Sequence, residues 1–84
     1  MSNTDFEIDN SVVVSPNPAV HEVIVKADNN IKSIQLYDVQ GRIIATSLVD
    51  AFESKLDISN YSKGIYFIKI TTEKGIKVQK LQKD

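Results

Sequence analysis

The chain reads as an all-β sandwich or barrel built from about seven short strands. Three observations predict this. β-branched runs, such as Val12-Val13-Val14 and Val23-Ile24-Val25, recur along the chain. Turn-forming clusters separate the runs at intervals of roughly 8–12 residues. The stretch from Ile65 to Ile70 alternates with the period of two that marks a strand.

The elements follow in order. Residues 1–11 are polar and acidic and read as a linker end or flexible arm, with the domain proper over 12–84. Val12-Val13-Val14 is a first strand, stopped by Pro16-Asn17-Pro18. Two prolines so close forbid a continuing ladder and make a stiff, extended corner. A second strand is expected over Val20 to Ala27, ended by a turn at Asp28-Asn29-Asn30. Ile31 to Tyr37 is a third, with Ile34 and Leu36 on one face and Tyr37 on the other. Asp38 to Gly41 reads as a hairpin loop with Gly41 in the left-handed region, followed by Arg42. Arg42 to Val49 returns as its partner, with Ile43 and Ala45 sharing a face. Asp50 to Ser54 is a connection, and Leu56 and Ile58 begin the next strand. Gly64 to Ile70 places Tyr66, Ile68 and Ile70 on one face, with Tyr66 toward the core. Ile65, Phe67 and Lys69 lie on the other. That second face is still mostly apolar, so the strand is expected to be central and covered on both sides. After the Gly75 turn, Ile76 to Lys83 reads as a last strand, although Val78 and Leu81 also fit helical spacing.

Composition bounds the function. Eighty-four residues make one core. With no cysteine there is no disulfide, thiolate metal site or thiol nucleophile. A net charge of −1 gives no general pull toward nucleic acid or anionic lipid, and no segment has the length and hydropathy of a membrane span. The expected partners therefore exclude nucleic acid and membrane insertion. The start of the chain lacks the pattern of a signal peptide, which places any export signal upstream in a longer parent protein.

No constellation of catalytic residues emerges, and no cofactor is expected. His21 is the single histidine and reads as an exposed strand residue; no nucleophile-elbow motif accompanies it. Asp57 reads as a turn-capping or solvated aspartate, and Asp28 and Asp38 as turn residues. Tyr37, Tyr66 and Phe67 could form a stacking surface, with little positive charge around them for nucleic acid. The uneven feature is the tail, where Lys74, Lys77, Lys80 and Lys83 recur every third residue. Such lysines protect an edge strand from aggregation, and they can equally present a cationic end to an acidic or strand-accepting receptor.

Taken in order, Pro16-Asn17-Pro18, Ile34-Gln35-Leu36-Tyr37-Asp38-Val39-Gln40-Gly41-Arg42, Leu56-Asp57-Ile58-Ser59, Gly64-Ile65-Tyr66-Phe67-Ile68-Lys69-Ile70, Gly75 and Lys80-Leu81-Gln82-Lys83 resemble the C-terminal sorting domain of the type IX (Por) secretion system, type A. The resemblance covers residues 12–84. It implies an immunoglobulin-like antiparallel β-sandwich from Bacteroidetes with no catalytic residues. It implies a partner set: an upstream cargo domain in the same chain, the outer-membrane translocon, and a sortase-like protease that removes the domain by cutting within or just before residues 1–12. It implies periplasmic transit, with the parent protein secreted or attached to the cell surface. Gly64, Tyr66, Gly75, Lys77, Lys80, Leu81 and Lys83 fall on the sorting and recognition positions. Pro16, Asn17, Pro18, Gly41 and Arg42 are the structural motif. A fibronectin-like or immunoglobulin-like accessory module that binds carbohydrate or protein through Tyr37 or Phe67 is the alternative.

Overall fold

The computed structural model describes residues 8–84. Five strands form: β1 (Val13–Ser15), β2 (Glu22–Tyr37), β3 (Ile43–Asp57), β4 (Gly64–Thr72) and β5 (Ile76–Lys83). Every strand pairing is antiparallel, in the order β1-β2-β4-β5 with β3 on β2.

The all-β class stands, with five strands where seven were expected. Two long strands account for the difference. β2 runs through Asp28-Asn29-Asn30, and β3 runs through Asp50 to Ser54. Both polar stretches are absorbed as irregularities, because the β2–β3 register shifts between Lys26 and Ile31 and again between Ile31 and Ser33. An extra residue bends a strand and sharpens its twist without ending the ladder. The bent strands therefore serve both layers. The first half of β2 pairs with β1 and the end of β3; its second half pairs with β4 and the start of β3. β5 extends the second layer along β4.

Between the layers lie Val14, Val23, Val25, Ile31, Ile34, Leu36, Ile58, Ile68, Ile70 and Leu81, all buried in one cluster. Each contributes about 1.5–3 kcal/mol by leaving water. Ile34 and Leu36 share the inner face as expected. Ile43 and Ala45 do not share a face. A register shift at the hairpin sets Ala45 opposite Leu36 but Ile43 opposite Tyr37, so Ala45 packs on the core while Ile43 turns outward.

β4 is central, between β2 and β5, and its Tyr66, Ile68 and Ile70 face the core. Its other face is not fully covered: Phe67 is 37% exposed. Ile65 beside it is half-buried, so the apolar character of this side marks a partly open sheet face. The last segment is a strand, which sends Leu81 into the core and leaves Val78 58% exposed.

Turn chemistry follows the sequence. Gly41 has φ 87°, where a side chain would clash with its own backbone. Beside it, Asp38 Oδ1 accepts the amides of Gln40 and Arg42 at 2.9 and 3.0 Å, and Oδ2 takes Arg42 Nε at 2.8 Å. The Arg42 amide, foremost among these contacts, holds the Asp38 carboxyl below its ordinary range. Asp57 caps the next turn by accepting the Ser59 amide and hydroxyl at 2.9 and 2.7 Å.

The part of the expected arm over residues 1–7 lies outside the described residues. Its remainder is bound into the fold. Asp9 is buried, its amide donates to the Ile76 carbonyl at 3.0 Å, and Ile8 bridges Ile76. The Asp9 carboxylate accepts the Ser11 amide and hydroxyl on Oδ1, and Asn29 Nδ2 and Thr72 Oγ1 on Oδ2, all within 3.0 Å. A buried carboxylate is costly unless hydrogen-bonded. Here the donors hold its proton affinity far below the ordinary value, the Ser11 hydroxyl most and then Thr72, against the opposing effect of burial.

Candidate functional site at the C-terminal strand

The carboxy-terminal strand β5 lies at a sheet edge. Its inner side pairs with β4 in an unbroken register from Gly64↔Lys83 to Thr71↔Ile76. Its outer side is closed at the carboxy-terminal end in an unusual way. The Asn17 side chain stands where a neighbouring strand would, donating from Nδ2 to the Lys80 carbonyl at 3.0 Å and accepting the Gln82 amide on Oδ1 at 3.1 Å. One amide side chain thus satisfies a backbone acceptor and a backbone donor. Ala19 continues the line with its main chain: its amide donates to the Gln82 carbonyl at 2.8 Å, and its carbonyl accepts the Asp84 amide at 2.7 Å. Ala19 is fully buried.

The sequence explains this clasp. Pro16 and Pro18 have no N–H to offer a ladder, so the corner cannot run on as a strand. Between them Asn17 carries both a donor and an acceptor on a short arm. Both proline peptide bonds, Ser15–Pro16 and Asn17–Pro18, are cis. The Pro16-Asn17-Pro18 motif and the chain end, far apart in sequence, are therefore one site.

The other expected residues sort into three places. Gly64, Lys83 and the end of β5 meet across the β4–β5 ladder and line a shallow groove of about 490 Å³ together with Lys63, Ile65, Gln82 and Asp84. Tyr66 stands opposite Leu81, lies half-buried against Tyr61, and donates its hydroxyl to the Ser62 carbonyl at 2.7 Å. Leu81 itself is a core residue. Gly75 closes the β4–β5 hairpin, where its carbonyl accepts the Thr72 amide at 2.7 Å.

The lysines do not form one cationic surface. A three-residue spacing on a strand sends successive side chains to opposite faces. Lys74 sits in the hairpin and pairs with Asp28 at 3.1 Å. Lys80 is exposed and lies opposite Phe67. Lys83 is buried, with Nζ donating to the Asp84 carbonyl at 3.2 Å. Lys77 is half-buried opposite Ile70. Tyr37 and Phe67 are register neighbours on the open face, and Tyr37 donates its hydroxyl to Gln35. Gly41 and Arg42 shape the β2–β3 hairpin, where both bond to Asp38.

Sequence reasoning missed Asp9 and Ala19. A signal for Asp9 was present: Asp9-Asn10-Ser11 repeats the Asp-x-Ser pattern of Asp57-Ile58-Ser59, and both form the same local cap. Ala19 carries no local signal, because its role lies in its main chain.

The profile of the secretion system C-terminal sorting domain matches residues 13–84. The chain belongs to that family. It is a type IX secretion sorting domain, the part of an exported protein that directs its cargo through that system to the cell surface or beyond. Among solved structures, the sorting domain resembles PorZ, a bacterial surface component of the type IX secretion system of Porphyromonas gingivalis. That match has a TM-score of 0.71 and 18% identity over 89% of this chain. The sorting domain spans only 12% of the PorZ chain. It also resembles an immunoglobulin-like β-sandwich protein of the DUF3244 family from Bacteroides vulgatus, with a TM-score of 0.75 and 17% identity over 95% of this chain and 92% of that one. These likenesses establish the immunoglobulin-like β-sandwich fold. No curated protein matches the chain.

Proposed function

We propose that the sorting domain is read at its C-terminal end by a receptor of the outer-membrane translocon while its cargo waits in the periplasm. A sortase-like protease then cuts ahead of the folded domain and frees the cargo. In this reading the domain performs no chemistry. It is a handle whose last strand is presented in a fixed position.

The observation that carries the reading is the convergence on β5. The strand end, the Pro16-Asn17-Pro18 corner and the Gly64 strand start meet at one sheet edge. Lys80 is the exposed basic group of β5 itself and offers a cation to an acidic receptor surface, whereas Leu81 and Lys83 hold the strand in place from inside. The Asp9 network fixes where the handle begins, because residues from Ile8 onward are tied to Ile76, Asn29 and Thr72.

A reporter fused ahead of this domain, in a host with the secretion system, tests the reading. Deleting Lys80 to Asp84 removes core residue Leu81 and should trap the reporter inside the cell envelope. Lys80→Glu is the sharper variant, since it spares the core. The folded Lys80→Glu fusion should accumulate in the periplasm, and its normal surface delivery would overturn the role given to Lys80.

A further inference from the structure

We propose that the Asn17 side chain is a displaceable place-holder on β5, and that its natural replacement is an extended acidic peptide that adds to the sheet as a strand. The proposal rests on the reading of β5 as the recognised strand and goes further, in naming the mode of recognition and the contact that restrains it.

Four features of the edge support this. First, the clasp imitates a strand with few contacts. Asn17 is exposed and occupies Lys80 O and Gln82 N with one side chain, while Ala19, buried in the core, holds the far end of the strand through its main chain and stays in place. A true strand would satisfy the same groups with its main chain and add others.

Second, the ladder leaves a gap in which a strand could start. The Gln82 amide and carbonyl and the Lys80 carbonyl all point away from β4. Backbone direction alternates along a strand, so Val78 points its amide and carbonyl outward as well. Asp9 closes the edge at Ile76 and the clasp closes it from Lys80. Between them, no described residue pairs with Val78, whose side chain is also exposed. An incoming strand can pair first at Val78 and then displace Asn17 group by group.

Third, the charge beside this edge is positive. Lys80 shares the exposed face of Val78, Lys77 lies half-buried on the other face, and neither has an ion pair among the described residues. An acidic peptide meets these cations; a basic one is repelled.

Fourth, the opposite edge is unsuited. β3 also pairs on one side only, but its register is broken near Ile44 and again at Val49–Asp50. Such bulges twist an edge away from partners. β5 carries no break along β4.

The test uses the folded domain and two synthetic strand peptides, one of alternating Val and Glu and one of alternating Val and Lys. Binding is followed by backbone NMR shifts and calorimetry. The acidic peptide should bind weakly, with the largest shifts at Val78, Lys80 and Gln82. Asn17→Ala should tighten that binding by roughly 5- to 30-fold, because the competing side chain is gone. Lys80→Glu should weaken it. Three results would overturn the proposal: no binding of the acidic peptide even to Asn17→Ala, shifts that map to β3, or an affinity unmoved by Asn17→Ala. If these occur while Lys80→Glu still blocks delivery of the fused reporter, β5 is read through its side chains and not by strand addition.

Discussion

Replacing Asn17 with alanine should loosen the end of β5 without unfolding the domain. The wild-type side chain makes two hydrogen bonds to the strand, at 3.0 Å to the Lys80 carbonyl and 3.1 Å from the Gln82 amide. A typical protein hydrogen bond contributes about 0.5–1.5 kcal/mol net. Both lie at an exposed site where water can take over, so the pair together is worth about 1–2 kcal/mol. That corresponds to roughly 5- to 30-fold in a local opening equilibrium. Amide hydrogen exchange reads this directly. In Asn17→Ala the Gln82 amide should exchange faster by that factor. The Leu81 amide, which by alternation faces β4, should barely change. Asn17→Asp keeps the acceptor for Gln82 but sets a carboxylate against the Lys80 carbonyl. Its Gln82 amide should therefore stay more protected than that of Asn17→Ala. Equal Gln82 exchange in wild type and Asn17→Ala would show that the side chain does not hold the strand.

Two further predictions concern the Asp9 network. Asp9→Ala leaves Asn29 and Thr72 without their buried acceptor and frees the arm from the β4–β5 hairpin. It should cost about 2–4 kcal/mol, a fall in melting temperature of about 10–25 °C, measurable by circular dichroism; a fall of only a degree or two would refute the anchoring role. Acid should act in the same direction. The carboxyls of Asp9, Asp28, Asp38 and Asp57 are all held below their ordinary range, so the unfolded chain binds protons that the folded one refuses. Stability should then be fully present above the ordinary aspartate value of about 3.9 and decline as pH falls below it. Denaturant titrations between pH 7 and pH 2 should show this, with the low-pH decline reduced in Asp9→Ala; a flat profile in the wild type would contradict it.

The sequence by itself determined the all-β class, the inward set Ile34, Leu36, Tyr66, Ile68 and Ile70, the left-handed turn at Gly41 and the capping role of Asp57. Each depends on local alternation or on a side chain bonding its own neighbourhood, and such signals act within a few residues. The order of short motifs also pointed to the sorting-domain family before any coordinates. The tertiary structure alone decided the number of strands, because a turn-like cluster such as Asp28-Asn29-Asn30 ends a strand or merely bulges it according to whether partners continue on either side. It decided that β4 is partly open on its Phe67 face and that the lysine series splits between an ion pair, a surface and the core. It also joined Asn17 to Lys80 and Gln82, and Asp9 to Thr72. Those bonds span more than sixty residues, and hydrogen-bonding groups carry no mark in sequence of the distant partner that will satisfy them.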